Sequence, residues 1–274
     1  MKHPYGKYVL LTGGSSGIGL SAARLLAEHG YTVFAASRNP SDGIRSFPGG
    51  GEIRPVAMDL RETLSVDRAV ESVLAQSDIG IIIHCAGIGI ACPAEEFPSH
   101  AIDGLMDTNY TGVLLLNSRM LPHFRRRGEG LCLIIGSVAS VFPVPFQSHY
   151  SASKAALESY AAALRMELSG YGVHVSVVHP GDTNTGFTGA RAYEIADDSP
   201  YYEACVKAVG KMEKDETRGK SPTSVARVVL KLCHRRRPPP RTIVGFDYKL
   251  LVFLKRLLPD RAVEYILKLM YMGV

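Results

Sequence analysis

The chain has 274 residues, with 31 Lys and Arg against 26 Asp and Glu and a formal charge of +5. At 46% hydrophobic and 21% charged residues it has the balance of a folded globular protein, not of a disordered one. The mild positive charge is spread along the sequence, which argues against a nucleic-acid partner. The segment Met1–Lys7 is short and polar and runs directly into an apolar stretch, unlike a secretory signal. No apolar run approaches the ~18 residues of a membrane-spanning helix. The cysteines at 85, 92, 132, 205 and 233 form no CxxC pair, and three lie in or beside apolar strands. Reduced thiols in a cytoplasmic protein without a metal site are the expectation.

In chain order, Tyr8–Leu11 reads as a strand, followed by a glycine-rich turn and a helix over Leu20–His29 that stops at Gly30. Strands are expected at Thr32–Ala36 and Ile53–Met58, then a helix over Val66–Gln76 carrying Val66, Val70, Val73 and Leu74 at helical spacing. The continuous β-branched run Ile79–Ile83 fits a strand buried on both faces of a parallel sheet. A long helix over Ala101–Arg126, a strand at Leu131–Ile135, an Ala-rich helix over Ser151–Leu168 and a strand at His174–Val178 follow. Helices near Tyr201–Lys214 and Thr223–Cys233 and a short strand at Thr242–Val244 complete the pattern. Strands separated by helices predict βαβ units and an α/β fold, a doubly wound parallel sheet of Rossmann type. We expect one catalytic domain over residues 1–245 and an amphipathic helical extension over 246–274.

The first strand enters Thr12-Gly13-Gly14-Ser15-Ser16-Gly17-Ile18-Gly19 and then a helix. Glycines in that context permit a tight turn and let backbone N–H groups approach a pyrophosphate at a helix N-terminus. An acidic residue closing the second strand would bind a ribose 2′-OH and select NAD. Here Ser37 and Arg38 stand instead, a hydroxyl and a guanidinium suited to a 2′-phosphate. NADP(H) is therefore expected over NAD(H). Asp59, followed by Leu60, is placed to accept from the adenine amino group, its bland alternative being a helix cap.

Tyr150 and Lys154 stand four residues apart at the start of a helix, about 6 Å along its axis. An ammonium beside a phenol favours the phenolate and lowers its pKa, giving a general acid/base for carbonyl–alcohol interconversion. Ser137 ends the strand thirteen residues before Tyr150.

Together, Thr12-Gly13-x-x-x-Gly17-Ile18-Gly19, Cys85-Ala86-Gly87, Asn109, Ser137, Tyr150-x-x-x-Lys154 and Pro180-Gly181 resemble the short-chain dehydrogenase/reductase family over about residues 5 to 245. The resemblance implies that Tyr150 exchanges a proton with the substrate oxygen and Ser137 hydrogen-bonds that oxygen. Lys154 would tune the tyrosine and bind the nicotinamide ribose, and Asn109 would support a water linking Lys154 to solvent. Gly13, Ser15, Ser16, Gly17, Ile18, Gly19, Ala86 and Gly87 would contact the dinucleotide, and Pro180, Gly181, Thr183 and Thr185 would clamp the carboxamide. It also implies a homodimer or homotetramer through the two long helices. Cys85 stands where the family has asparagine, and a packed, inert thiol is the expected consequence. His84, His149 and His179 are expected to be structural.

The loops Gly89–Phe97, Val138–Ser148 and Phe187–Lys220 would build the substrate site, and the middle one is apolar. A small hydrophobic ketone or secondary alcohol, steroid-like, is expected, as in the steroid and retinoid dehydrogenase branch that the tail and Pro180–Phe187 resemble. The alternatives are a reductase of small carbonyls or 3-oxoacyl groups, and a catalytically silent NADPH-binding regulator. In the tail, Leu250, Phe253, Leu254, Leu257 and Leu258 form one apolar stripe and Val263, Ile266, Leu267 and Met270 a second. Such helices could pack on the body, cover the substrate mouth, form a dimer contact or lie on a membrane surface.

Overall fold

A computed structural model of the chain describes residues 3–273. It begins with β1 (Tyr8–Thr12), α1 (Gly17–Glu28), β2 (Thr32–Ser37), β3 (Arg45–Ser46), β4 (Glu52–Ala57), α2 (Thr63–Gln76), β5 (Ile81–His84) and β6 (Ile90–Ala91). Next come α3 (Ser99–Met106), α4 (Gly112–Arg127), β7 (Gly130–Ile135), α5 (Ser148–Glu167) and β8 (Val173–His179). The chain closes with α6 (Gly186–Gly189), β9 (Ala192–Tyr193), α7 (Tyr202–Thr217), α8 (Pro222–Cys233), β10 (Arg241–Ile243), α9 (Phe246–Lys255) and α10 (Asp260–Met272).

Successive residues of a strand face opposite sides of its sheet, so a strand covered on both sides must be apolar throughout. Leu10, Ile82, Cys132, Ile134, Val175 and Val177 meet apolar residues of α2, α4 and α5 in one core. Val9, Leu11, Ile81, Ile83, Leu131 and Leu133 meet α1 and α8 in the other. The helices carry matching end signals: Pro222 opens α8, and α4 ends at Gly128 in a left-handed conformation with Arg125, Arg126 and Arg127 in its last turn.

The main sheet has the order β10-β8-β7-β5-β1-β2-β4-β3. Its pairings are parallel except that of β3 with β4. Winding reverses between β1 and β5, where Thr12 pairs with His84, and a cleft opens beyond the carboxyl ends of those strands. The doubly wound parallel sheet is as expected.

Two local features differ from the expectation. The helix expected over 101–126 is interrupted by a π-helical turn, Asp107–Thr111, between α3 and α4. That wider turn carries Asn109, which is buried. The two-residue strands β6 and β9 pair in parallel and tie the segment after Gly89 to the segment after Phe187. Beyond β10, α9 and α10 leave the sheet, and of their own residues only Val252 and Val263 are buried.

Candidate active site

The cleft holds a cavity of about 900 Å³. Its walls include Gly13, Ser15, Ser16, Gly17, Ile18 and Gly19 of the first loop, Ser37 and Arg38 at the end of β2, and Asp59 and Leu60 after β4. They also include Ala86 and Gly87 after β5, Ser137 after β7, Tyr150 and Lys154 of α5, and Pro180, Gly181, Thr183 and Thr185 after β8. Residues from seven separate stretches thus converge because each follows the carboxyl end of a strand or opens the next helix. Asn109 is set behind this wall, fully buried.

The glycine loop fits a dinucleotide. Gly13 has φ +72°, and a Cβ there would stand 2.7 Å from the Ala86 backbone nitrogen. Only glycine lets the two strand-end loops touch. The Thr12 hydroxyl locks them by accepting from the backbone N–H groups of Cys85 (3.2 Å) and Ala86 (3.3 Å). Ser16 precedes α1 in extended conformation without capping it through its side chain, and no acidic residue occupies the first turn. The free N–H groups and helix dipole there suit a phosphate.

Asp59 does not stand alone on this wall. Its carboxylate accepts from the Arg61 backbone N–H (3.0 Å) and from the Arg61 guanidinium (3.1 and 2.7 Å). Those bonds hold its carboxyl below the usual range, with Arg38 adding a weaker pull. Nor does Asp59 cap α2, which is preceded by Glu62. The sequence reading missed Arg61, whose only signal was a cation two residues beyond the acid.

At the reacting end, Ser137 lies at the end of a wholly buried strand, and its Oγ accepts from the Ala139 backbone N–H at 3.1 Å. Its hydroxyl lies within hydrogen-bonding reach of the Tyr150 phenol, at the cavity wall. Lys154 Nζ donates to the Ile135 carbonyl at 3.0 Å and lies 5.8 Å from the Tyr150 ring centroid. Asn109 accepts from Ile88 N–H (2.8 Å) and donates to Ile88 C=O (2.9 Å) and Ser153 Oγ (3.2 Å). Its amide is thus committed to bracing Ile88 and α5. A Cβ on Gly87 would lie 3.3 Å from Asn109 Oδ1 and 3.4 Å from Lys154 Nζ, so all three residues close on one point.

The expected lowering of the Tyr150 pKa is not what the protein's own groups produce. Burial raises it, and the nearby Ser137 hydroxyl offsets this only in part. Desolvation wins because the phenolate would sit in an apolar wall. The same burial pushes Lys154 down to about 8. Cys85 is driven up to about 12 by burial, with Lys154 pulling the other way, which keeps the thiol protonated at neutral pH. His84 packs in the core, bonded to Asn117 at 2.9 Å and pushed by burial down to about 4.

Other wall residues were not singled out in the sequence. The Phe187 ring lies 5.8 Å from that of Tyr150. Behind it, the buried Arg191 bonds Glu216 at 2.6 Å, and Glu216 also accepts from Thr188 at 2.6 Å, pinning the segment between α6 and α7. Tyr248 of α9 donates to Asp182 and leaves no room for a side chain at Gly181. The tail's fate is equally specific: Leu251, Leu254, Leu258, Val263, Ile266, Leu267 and Met270 line the cavity, and Lys255 Nζ donates to the Val141 carbonyl.

A glycine cradle at a switch point, opening onto a serine, tyrosine and lysine, defines a nicotinamide-dependent oxidoreductase site. A family model described as short chain dehydrogenase matches residues 7–195. The chain belongs to that short-chain dehydrogenase/reductase family and is an NAD(P)-dependent dehydrogenase/reductase. It is 34% identical over 267 residues to a 3-ketodihydrosphingosine reductase of Bacteroides thetaiotaomicron, covering 96% of this chain and 97% of that one. It is 29% identical over 268 residues to retinol dehydrogenase 8 of Bos taurus, covering 92% and 86%. A short chain dehydrogenase of Burkholderia cenocepacia in complex with NADP shares the fold at TM-score 0.74, with 21% identity and coverage of 97% and 99%. One from Burkholderia phymatum in complex with NAD does so at 0.79, with 20% identity and coverage of 94% and 95%.

Proposed function

We propose that the protein is an NADP(H)-dependent oxidoreductase that interconverts a ketone and a secondary alcohol on an extended, hydrophobic substrate. The observation that carries this reading is the continuity of the cavity from Ser137 and Tyr150 to an apolar wall built by α9 and α10. Burying a chain against Leu254, Leu258, Ile266 and Met270 returns about 25 cal/mol per Å², which a small polar substrate could not gain. The 3-ketodihydrosphingosine reductase relative supports a long aliphatic ketone over a rigid steroid. Arg38 and Ser37, with no carboxylate at the end of β2, support the 2′-phosphate form of the cofactor.

Bound nicotinamide supplies the hydride for the carbonyl carbon or accepts it from the alcohol. In reduction, Tyr150, a neutral phenol, gives its proton to the substrate oxygen. The Ser137 hydroxyl donates to the same oxygen and orients the carbonyl. Lys154 spends one donor on Ile135 and has two left for ribose hydroxyls. The amide of Asn109 keeps Ile88 and α5 in register, and the water that the resemblance implies would be held beside it. Pro180, Gly181, Thr183 and Thr185 would hold the carboxamide.

The test is NADPH oxidation across steroid, retinoid, short-chain and 3-oxoacyl carbonyls and 3-ketodihydrosphingosine. The highest kcat/KM is expected with the long-chain ketone. A preference for short carbonyls would favour the small-substrate alternative, and no turnover with any of them would favour a silent regulator.

A surface feature supports contact with lipid. No helix among the described residues is long and apolar enough to cross a membrane. Yet Phe246 and Phe253 of α9 and Leu257 just after it are 81%, 56% and 68% exposed, flanked by Lys249 and Arg256. An apolar stripe with a basic border suits an anionic bilayer surface. Sedimentation with phosphatidylglycerol vesicles should carry the protein down, and Phe253→Asp with Leu257→Asp should release it. Binding unaffected by those changes would contradict the contact. Cytoplasmic residence, assembly as a dimer or tetramer through α4 and α5, and a functional division at residue 245 belong to the same proposal.

A further inference from the structure

His179, the last residue of β8, is fully buried and stands at the junction of three pieces of the site. Its Nδ1 lies 2.9 Å from the Ser137 carbonyl oxygen. Its Nε2 lies 2.5 Å from a carboxylate oxygen of Glu158, one helical turn beyond Lys154 on α5. The next residue along the chain is Pro180, whose carbonyl accepts from Val138 N–H at 3.0 Å. The imidazole therefore bridges the strand end bearing Ser137, the loop after β8 and the helix bearing Tyr150 and Lys154.

The Ser137 carbonyl is an acceptor, so Nδ1 carries the proton that meets it, while Nε2 faces the Glu158 carboxylate. Burial pushes the Glu158 carboxyl up, but His179 and Arg241 outweigh it and keep Glu158 ionised. Arg241 Nε donates to Glu158 at 3.0 Å. Ser140 Oγ adds a second donor to the Ser137 carbonyl at 2.7 Å. With its carbonyl held by His179 and Ser140 and its Oγ accepting from Ala139, the Ser137 side chain is held beside Tyr150.

Resting on the role proposed above for Ser137, we infer that His179, anchored by Glu158, is a positioning residue that sets the Ser137 hydroxyl for the substrate oxygen. Its ring does not reach the reacting atoms. Its effect is on orientation, so it falls on turnover and not on nucleotide affinity.

The test is a mutant cycle read with the ketone that turns over fastest in the panel. An asparagine amide can stand where Nδ1 stands, whereas a glutamine amide reaches the position of Nε2. His179→Gln should lower kcat by about one to two orders of magnitude, with the NADPH Kd within about twofold. His179→Asn should recover most of that loss. In a Ser137→Ala background, His179→Gln should cost less than about twofold more, because the group it positions is gone. Losses of equal size in His179→Gln and His179→Asn, tracking their melting temperatures, would overturn the inference. So would a full His179→Gln loss in the Ser137→Ala background. A Ser137→Ala enzyme as fast as the parent would instead overturn the role of Ser137 itself.

Discussion

Lys154 donates its ammonium to the Ile135 carbonyl at 3.0 Å, two residues ahead of Ser137. The bond ties the helix that carries the phenol to the strand that carries the hydroxyl, and it does so with a charge that burial disfavours. Two consequences can be measured.

The first is pH dependence. Burial leaves Tyr150 protonated through neutrality, so the proton donor for reduction is in place, while Lys154 loses its charge as pH rises through about 8. Reductive kcat/KM should be flat from about pH 6 to 7.5 and fall above about 8. Oxidation, which needs Tyr150 to take a proton, should gain instead as the solution becomes basic. A reductive profile level to pH 10 would contradict this assignment.

The second is stability. The folded protein binds the Lys154 proton more weakly than an unfolded chain, whose lysine has a pKa of 10.5. Holding that charge at pH 7 costs roughly 3 kcal/mol. Lys154→Met should therefore abolish turnover and raise the melting temperature by about 5 °C or more. A lower melting temperature would mean that the Ile135 bond outweighs the desolvation.

Cofactor choice rests on Arg38. Arg38→Asp should weaken NADPH binding by about tenfold to a hundredfold, the value of a charge-assisted contact, and leave NADH within about threefold. Equal effects on both nucleotides, measured by titration, would remove the proposed 2′-phosphate contact.

The tail tests the substrate reading. Leu254→Ser combined with Ile266→Ser should raise KM for a long-chain ketone by about tenfold while sparing a short one, since only the long chain reaches that wall. Equal changes for both substrates would show the helices acting on the fold instead.

What was legible in the sequence follows from what a pattern can encode. The continuous apolar runs of β1, β5 and β7 announce strands covered on both faces, because no other placement buries every side chain. Loops after such strands then have to meet, and Gly13, Ser137 and Tyr150 do. The β6–β9 pair was invisible, since two residues carry no period. The π turn around Asn109 hides inside a helical pattern that differs from it by a single residue. Proximity of Tyr150 to Lys154 can be counted along a helix, whereas the desolvation that raises the Tyr150 pKa depends on walls from distant segments. The stripes of α9 and α10 showed that something covers them, but only the fold shows that one side faces the catalytic cavity.

The most direct test of the central claim is NADPH oxidation on addition of a long-chain 3-keto lipid, with the parent enzyme and Tyr150→Phe side by side. The parent should consume NADPH in proportion to ketone added, and the variant should bind NADPH with unchanged affinity yet turn over about a thousandfold more slowly. A Tyr150→Phe enzyme as fast as the parent would contradict the account.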